Sequence, residues 1–226
     1  SPEQVLATSV EGLEILEAAL HGNKLRTGHL RGNRFDVRLV ALEAEGHTIL
    51  PRPQLLATIQ DKYSQKRFLS EAGIPTSEFV DIPTPSRERF ERFGYPLVQK
   101  ARRGGYDGRG VAIMHGPDEF DQHLPVPSYV ERFVDAEKEI AVIVARSLAG
   151  ECRAYPAVEM RFHPDGNVLD FLVAPANVSA DIAARAEALA IDTVNALEGV
   201  GVFGVEMFLD RKGELLVNEV APRTHN

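Results

Sequence analysis

Val200-Gly-Val-Phe-Gly-Val-Glu206-Met-Phe-Leu209, the turn Asp210-Arg-Lys-Gly213, and Glu214-Leu-Leu-Val-Asn218-Glu219-Val-Ala221 form the stretch whose reading decides the fold. Two apolar runs flank a short polar turn that carries glycine, which is the signature of an antiparallel hairpin. Period two sets Glu206 on the face of Val202, Gly204 and Phe208, and Glu219 on the face of Leu215 and Val217. Both acids interrupt otherwise apolar faces, where an unpaired charge is costly. In so short a hairpin the two carboxylates can share a cation, and hard oxygen ligands in such a pair suit Mg²⁺. The alternative is a pair of salt bridges to Lys or Arg.

Upstream, Asp181–Leu197 has helical spacing, with Ile182, Ala186, Leu189, Val194 and Leu197 inward, Ser179 as N-cap and Gly199 as the stop. Strands are predicted at Glu78–Ile82, Pro96–Ala101, Val111–Met114, Ser128–Phe133, Glu139–Arg146 and Cys152–Glu159. A helix is predicted over Leu55–Ala72, stopped by Gly73. Mixed helices with a mostly antiparallel sheet give an α+β class. Residues 1–39 read differently: an acidic amphipathic helix around Val10–Leu20 precedes a basic run, Lys24–Arg38, with five Lys or Arg and only Asp36 opposing them.

A second constellation is Lys100-Ala-Arg-Arg-Gly104-Gly105-Tyr106-Asp107-Gly108-Arg109-Gly110. Four glycines in the seven positions from Gly104 let backbone N–H groups approach a ligand unobstructed, as in phosphate cradles, although a plain hairpin turn also suits them. No Walker loop occurs, and no helix follows to make a dinucleotide fingerprint. Lys100, on the strand face of Val98, either snorkels outward or holds an anion. Tyr129-Val-Glu131-Arg132-Phe133-Val134 enters a turn that can offer backbone groups to a base edge, with Glu139 near enough to hold ribose hydroxyls. His163 lacks a second ligand at zinc spacing, and Cys152 lacks an activating neighbour.

Composition bounds the reading. The 226 residues are 44% hydrophobic and 26% charged, as in ordinary globular proteins, with a net charge of −8 that opposes general nucleic-acid binding. No apolar run approaches the ~18–20 residues of a membrane span, and no secretory signal opens the sequence. A single cysteine suits a reducing compartment, so a cytoplasmic protein is expected.

These elements occur in one order: Gln60-Asp61-Lys62, Lys100, the glycine loop, Glu131, Glu139, Glu206, Asn218-Glu219 and Ala221-Pro222-Arg223. The series resembles the ATP-grasp enzymes, and within them the 5-(carboxyamino)imidazole ribonucleotide synthases, over about residues 40–226. The phrases Ile59–Lys66 and Gly73–Thr76 belong to the same likeness. The resemblance implies a nucleotide held between two α+β subdomains with mostly antiparallel sheets. It implies ATP-dependent carboxylation of aminoimidazole ribonucleotide by bicarbonate through carboxyphosphate, in purine biosynthesis, with ATP and Mg²⁺ bound and ADP released. Lys62 and Lys100 would contact phosphates, with Gly104, Gly105, Tyr106, Gly108, Arg109 and Gly110 looping over them. Glu131, Arg132, Phe133 and Val134 would form the adenine hinge, Glu139 would hold ribose, and His163 would lie near the nucleotide. Glu206 and Glu219 would bind Mg²⁺, with Asn218 alongside. Tyr106, Asp107 and Arg109 would face the ribonucleotide. Lys100, Asp107 and Arg223 would act in catalysis, Arg223 by stabilising carboxyphosphate charge. Alternation puts Asn218 and Glu219 on opposite faces, so their joint presence at one site requires a twist or bulge.

The likeness places residues 1–39 outside the family pattern. It leaves 40–226 as an ATP-grasp core without the usual N-terminal α/β domain and C-terminal small domain. Residues 23–35 are similar to a short stretch of tRNA pseudouridine synthases, which suggests a chimeric piece joined near Leu39-Val40. Two further readings follow: an ATP-binding core with little or no turnover, and an RNA-binding module built on 24–38. A homodimer is a candidate assembly.

Overall fold

In the computed structural model, which describes residues 4–6, 37–104, 110–163 and 169–224, the chain begins with β1 (Gln4–Leu6), α1 (Val37–Ala44), β2 (Thr48–Leu50), α2 (Pro53–Gln60) and α3 (Lys62–Glu71). It continues through β3 (Phe79–Ile82), α4 (Arg87–Phe93), β4 (Leu97–Ala101), β5 (Val111–Met114), a 3₁₀ turn at Pro117–Gln122 and β6 (Ser128–Arg132). The remainder is β7 (Ala136–Arg146), β8 (Cys152–Ala154), β9 (Val158–Phe162), β10 (Leu169–Val173), α5 (Ala180–Ala196), β11 (Gly201–Asp210) and β12 (Leu215–Ala221).

Two antiparallel sheets carry the molecule. The smaller has the order β3-β6-β4-β5, and the larger β10-β9-β7-β11-β12 with β8 added beside β7. A parallel pair, β1 with β2, stands apart. Each sheet buries one face under a helix. Phe90 of α4 packs with Leu97, Met114, Val130 and Ile82 of the smaller sheet. Ala186, Ala190 and Val194 of α5 pack with Val142, Val144, Phe203, Val205 and Met207 of the larger. Period two therefore sends Val98, Lys100, Tyr129 and Glu131 to the other face of the smaller sheet, and Glu139, Glu206 and Phe208 to the other face of the larger.

The hairpin expected from Val200–Ala221 is present, with the turn closed by Gly213 N–H to the Asp210 carbonyl at 3.0 Å. Ser179 caps α5 by accepting from Ile182 N–H at 3.2 Å. Two predicted elements are corrected. The single helix over Leu55–Ala72 is broken, because Asp61 adopts an extended conformation (φ −99°, ψ 101°) and its carboxylate caps α3 by accepting from Ser64 N–H at 3.0 Å. The strand over Cys152–Glu159 is two strands, interrupted around Pro156, which has no N–H to give a ladder. Helix α1 runs across the expected boundary at Leu39-Val40. The predicted helix at Val10–Leu20 lies outside the described residues. Among those described, no helix is long and apolar enough to cross a membrane.

Candidate functional site

The faces opposite α4 and α5 come together, beside α3, at a cluster of lysines and carboxylates. Lys100, the penultimate residue of β4, has its Nζ 2.5 Å from Glu131 Oε1 and donates to Asn218 Oδ1 of β12 at 2.7 Å. One side chain thus bridges the smaller sheet to the larger. Its Nζ also lies 6.0 Å from the centre of the Phe208 ring. At the N-terminus of α3, Lys62 donates to Glu219 Oε2 at 2.7 Å, both groups being partly open to solvent. One turn further, Lys66 is 1% exposed. Its Nζ lies 2.9 Å from both Glu131 Oε2 and Ser77 Oγ, and it reaches Thr76 Oγ1 as well. Gln65 ties the same helix to β12 through both the N–H and the carbonyl of Val220.

Glu206 sits directly opposite Glu219 in the β11–β12 ladder, and the following pair is Met207 with Val217. Asn218 is the extra residue of a β-bulge. The required irregularity is therefore present, and both Asn218 and Glu219 reach the lysines of the site.

Electrostatics follow from burial and pairing. Burial works to raise the Glu131 carboxyl, but Lys100 and Lys66 outweigh it and hold it at about 2. Burial lowers Lys66, aided by the like charge of Lys100 and opposed by Glu131. Burial and then the charge of Glu206 push Glu139 up to about 7, against Lys100. Burial works to lower Lys62, but Glu219 outweighs it and raises the group above its ordinary value.

Other expected site residues are placed as follows. Gly104 and Gly110 have φ of +80° and +89°, a conformation that favours glycine, and Ala101 N–H donates to the Gly110 carbonyl at 2.8 Å to close the loop's base. Gly105, Tyr106, Asp107, Gly108 and Arg109 lie outside the described residues. The Glu131 side chain is buried and committed to the two lysines, while the adenine hinge was expected of the backbone of 131–134. Arg132 is turned away to the carbonyls of Phe93 and Gly94, ending α4, and covers the Phe93 ring at 4.5 Å. Phe133 N–H donates to the Pro96 carbonyl, and the Val134 carbonyl accepts from Ala136. His163 is exposed just past β9. Arg223 donates to the Thr224 carbonyl at 2.9 Å.

Lys66, Thr76 and Ser77 carry no role in the sequence reading. The signal was available: Lys62, Lys66 and Leu69 fall on one helical face, and Lys66 is an ammonium among buried positions. Asp61 and Arg102 were likewise missed. Arg102 donates to Asp61 through Nε and Nη2 at 2.9–3.1 Å, and its carbonyl accepts from Lys62 N–H at 2.9 Å, which anchors the start of the glycine loop to α3.

Residues 67–226 match the family model described as the ATP-grasp domain. The phosphoribosylaminoimidazole carboxylase of Schizosaccharomyces pombe is 44% identical over 183 residues, which are 78% of this chain and 33% of that protein. The N5-carboxyaminoimidazole ribonucleotide synthetase structure from Thermotoga maritima superposes with a TM-score of 0.76 at 42% identity, covering 86% of this chain and 50% of that one. The N5-carboxyaminoimidazole synthase from Aspergillus clavatus, in complex with ADP and 5-aminoimidazole ribonucleotide, gives a TM-score of 0.76 at 32% identity over 84% of this chain and 51% of that one. The chain thus spans about a third to a half of the length of these relatives. The likeness of residues 23–35 to tRNA pseudouridine synthases is not borne out, and those residues lie outside the described ones.

Proposed function

The chain belongs to the ATP-grasp family, and on that premise we propose that it binds Mg-ATP between its two sheets and serves the carboxylation of 5-aminoimidazole ribonucleotide by bicarbonate. The observation that carries this reading is the bridge from Lys100 to Asn218, beside the facing pair Glu206 and Glu219. It sets cations for phosphates next to hard oxygen ligands for a divalent metal.

The donor set fits the expected metal. Among the described residues no group of three His, Cys, Asp or Glu is arranged for a metal, and Mg²⁺ in phosphate sites is held by one or two carboxylates, with phosphates and water completing the shell. Glu206 and Glu219 would hold it, with Asn218 alongside, and it would neutralise phosphate charge. Lys62 and Lys100 would bind phosphate oxygens, Lys62 exchanging its contact with Glu219 for one with the ligand. Because Glu139 shares a face with Glu206, it would bind ribose hydroxyls.

In the proposed reaction bicarbonate takes the terminal phosphoryl group, and the exocyclic amine of the ribonucleotide then takes the carboxyl carbon with loss of phosphate. The chain's contribution is positional and electrostatic: ammonium groups fixed on β4 and at the start of α3 would face the charge that develops in transfer. Tyr106, Asp107 and Arg109 would face the ribonucleotide, and Arg223 would offset the charge of carboxyphosphate. We also propose a cytoplasmic location, consistent with a single cysteine.

A thermal melt with Mg-ATP tests the nucleotide half. At ~100 times the dissociation constant, linkage adds about 2.7 kcal/mol. Release of ADP that requires both bicarbonate and the ribonucleotide supports the full reaction. A melting shift without that release reduces the reading to a nucleotide-binding core, and no shift refutes it.

A further inference from the structure

Glu131 is a buried carboxylate between two buried ammonium groups, and that count matters more than any single bond. Lys100 alone would neutralise Glu131, leaving a pair with no net charge to offer a phosphate. A phosphate would then have to compete with a desolvated carboxylate for the same ammonium, an exchange with little electrostatic gain. The second lysine changes the balance.

The hydrogen bonds show that Lys66 is charged. Thr76 Oγ1 donates its proton to the Val217 carbonyl at 2.8 Å, and Ser77 Oγ donates to Glu131 Oε2 at 2.7 Å. Both hydroxyl oxygens are therefore acceptors toward Lys66, and Glu131 Oε2 is a third. The Val217 carbonyl, at 3.4 Å, is a fourth and longer one. Acceptors in at least three directions around one nitrogen call for three N–H donors, which is the ammonium form. Two ammonium groups and one carboxylate leave the buried trio with one net positive charge. Lys66 is the more deeply buried of the two lysines, whereas Lys100 points at Asn218 and the junction of the sheets.

We propose that Lys66 sets the charge of the phosphate site from behind Glu131: by sharing that carboxylate it keeps Glu131 from neutralising Lys100 alone, so that Lys100 keeps positive charge for the ligand's phosphates. Lys66 is thus a positioning residue, fixing the Glu131 carboxylate on one side so that Lys100 is oriented by it without being neutralised. The inference rests on the nucleotide-binding reading above.

The test is a charge-restoring cycle, read by isothermal titration of the whole chain with inorganic pyrophosphate plus Mg²⁺, with Mg-ATP, and with adenosine as the phosphate-free control. Lys66→Met should weaken pyrophosphate and Mg-ATP about tenfold, as loss of a nearby buried charge requires, and leave adenosine unmoved. Lys66→Met combined with Glu131→Gln returns the net charge of the trio to its original value, and pyrophosphate affinity should recover to within about threefold of the unaltered chain. A merely structural Lys66 predicts the opposite, with the double variant as weak as the single or weaker, and all three ligands losing affinity alike. Should Lys66→Met fail to fold in a thermal melt, Glu131→Gln alone decides: pyrophosphate binding equal to or tighter than that of the unaltered chain supports the inference, and a loss overturns it. An unaltered chain that binds neither Mg-ATP nor pyrophosphate refutes the nucleotide reading, and this inference with it. Binding that Lys66→Met leaves untouched refutes this inference alone.

Discussion

Glu206 lies directly across the β11–β12 hairpin from Glu219, and the next rung pairs Met207 with Val217, so Asn218 has no residue opposite it. Like charges facing each other across a ladder repel, which a cation between them reverses. The bulge adds a second effect. It lets two consecutive residues, Asn218 and Glu219, reach Lys100 and Lys62 at 2.7 Å each, where strict alternation would send one of them into the core beneath α5.

If the two acids share Mg²⁺, Glu219→Gln should weaken Mg-ATP at least tenfold while weakening metal-free ATP far less. An amide keeps one neutral oxygen but loses the charge that offsets the cation. Removing the acid also frees Lys62 from its ion pair, which favours a metal-free phosphate. Equal losses with and without Mg²⁺ would assign the pair a structural role.

The pH dependence of the ligand-free protein carries a sign set by Glu139. Its carboxyl is pushed up to about 7, above the ordinary 4.5, first by burial and then by Glu206. A raised folded value means the protonated form is favoured by the fold. Its contribution is complete below about pH 4.5 and is lost as pH rises through about 7. Melting temperature should fall from about pH 4.5 to 7 and level off by about pH 8, and Glu139→Gln should flatten that fall, by roughly 1–3 kcal/mol at pH 8. Glu131 acts in the other direction. Held at about 2, its contribution is present above 4.5 and is lost only as pH falls toward 2.

Asp61→Ala removes the cap of α3 and the carboxylate that Arg102 grips. The cap alone is worth about 0.5–2 kcal/mol. With the ion pair to an acid only 4% exposed, the total loss in a urea titration should reach about 2–4 kcal/mol. Because Lys62 follows Asp61 and its N–H holds the Arg102 carbonyl, ATP affinity should fall as well. A variant that loses stability but keeps full ATP affinity would separate the cap from the site.

Gly199→Ala tests packing between α5 and the larger sheet. A Cβ at that position would overlap Cζ of the Phe203 ring, itself fully buried. The ring must shift within a close-packed core, at a cost of about 1–3 kcal/mol. Denaturant titration measures it directly, and an unchanged midpoint would mean the ring moves freely.

Much of the scaffold was legible because alternation and helical period are properties of neighbouring residues. The closing hairpin, α5 with its cap at Ser179, and the halt at Gly73 (φ +72°) all follow from local patterns. Asp61 marks where that reasoning fails. The run on either side has helical composition, yet the acid leaves the helix to cap the next one and to meet Arg102 from another part of the chain.

The sequence by itself determined the class of fold and where its charged and glycine-rich features stand: Lys62 and Lys100, the loop 104–110, and the acids Glu206 and Glu219. Only the tertiary structure decided how they are paired. It turned Glu131 inward between Lys66 and Lys100, sent Arg132 to the end of α4, and set Asn218 on a bulge facing the opposite sheet. The reason is physical. Periodicity tells which side of an element a side chain occupies, but the pairing of a buried charge depends on which distant group the packing of two sheets brings within hydrogen-bonding distance.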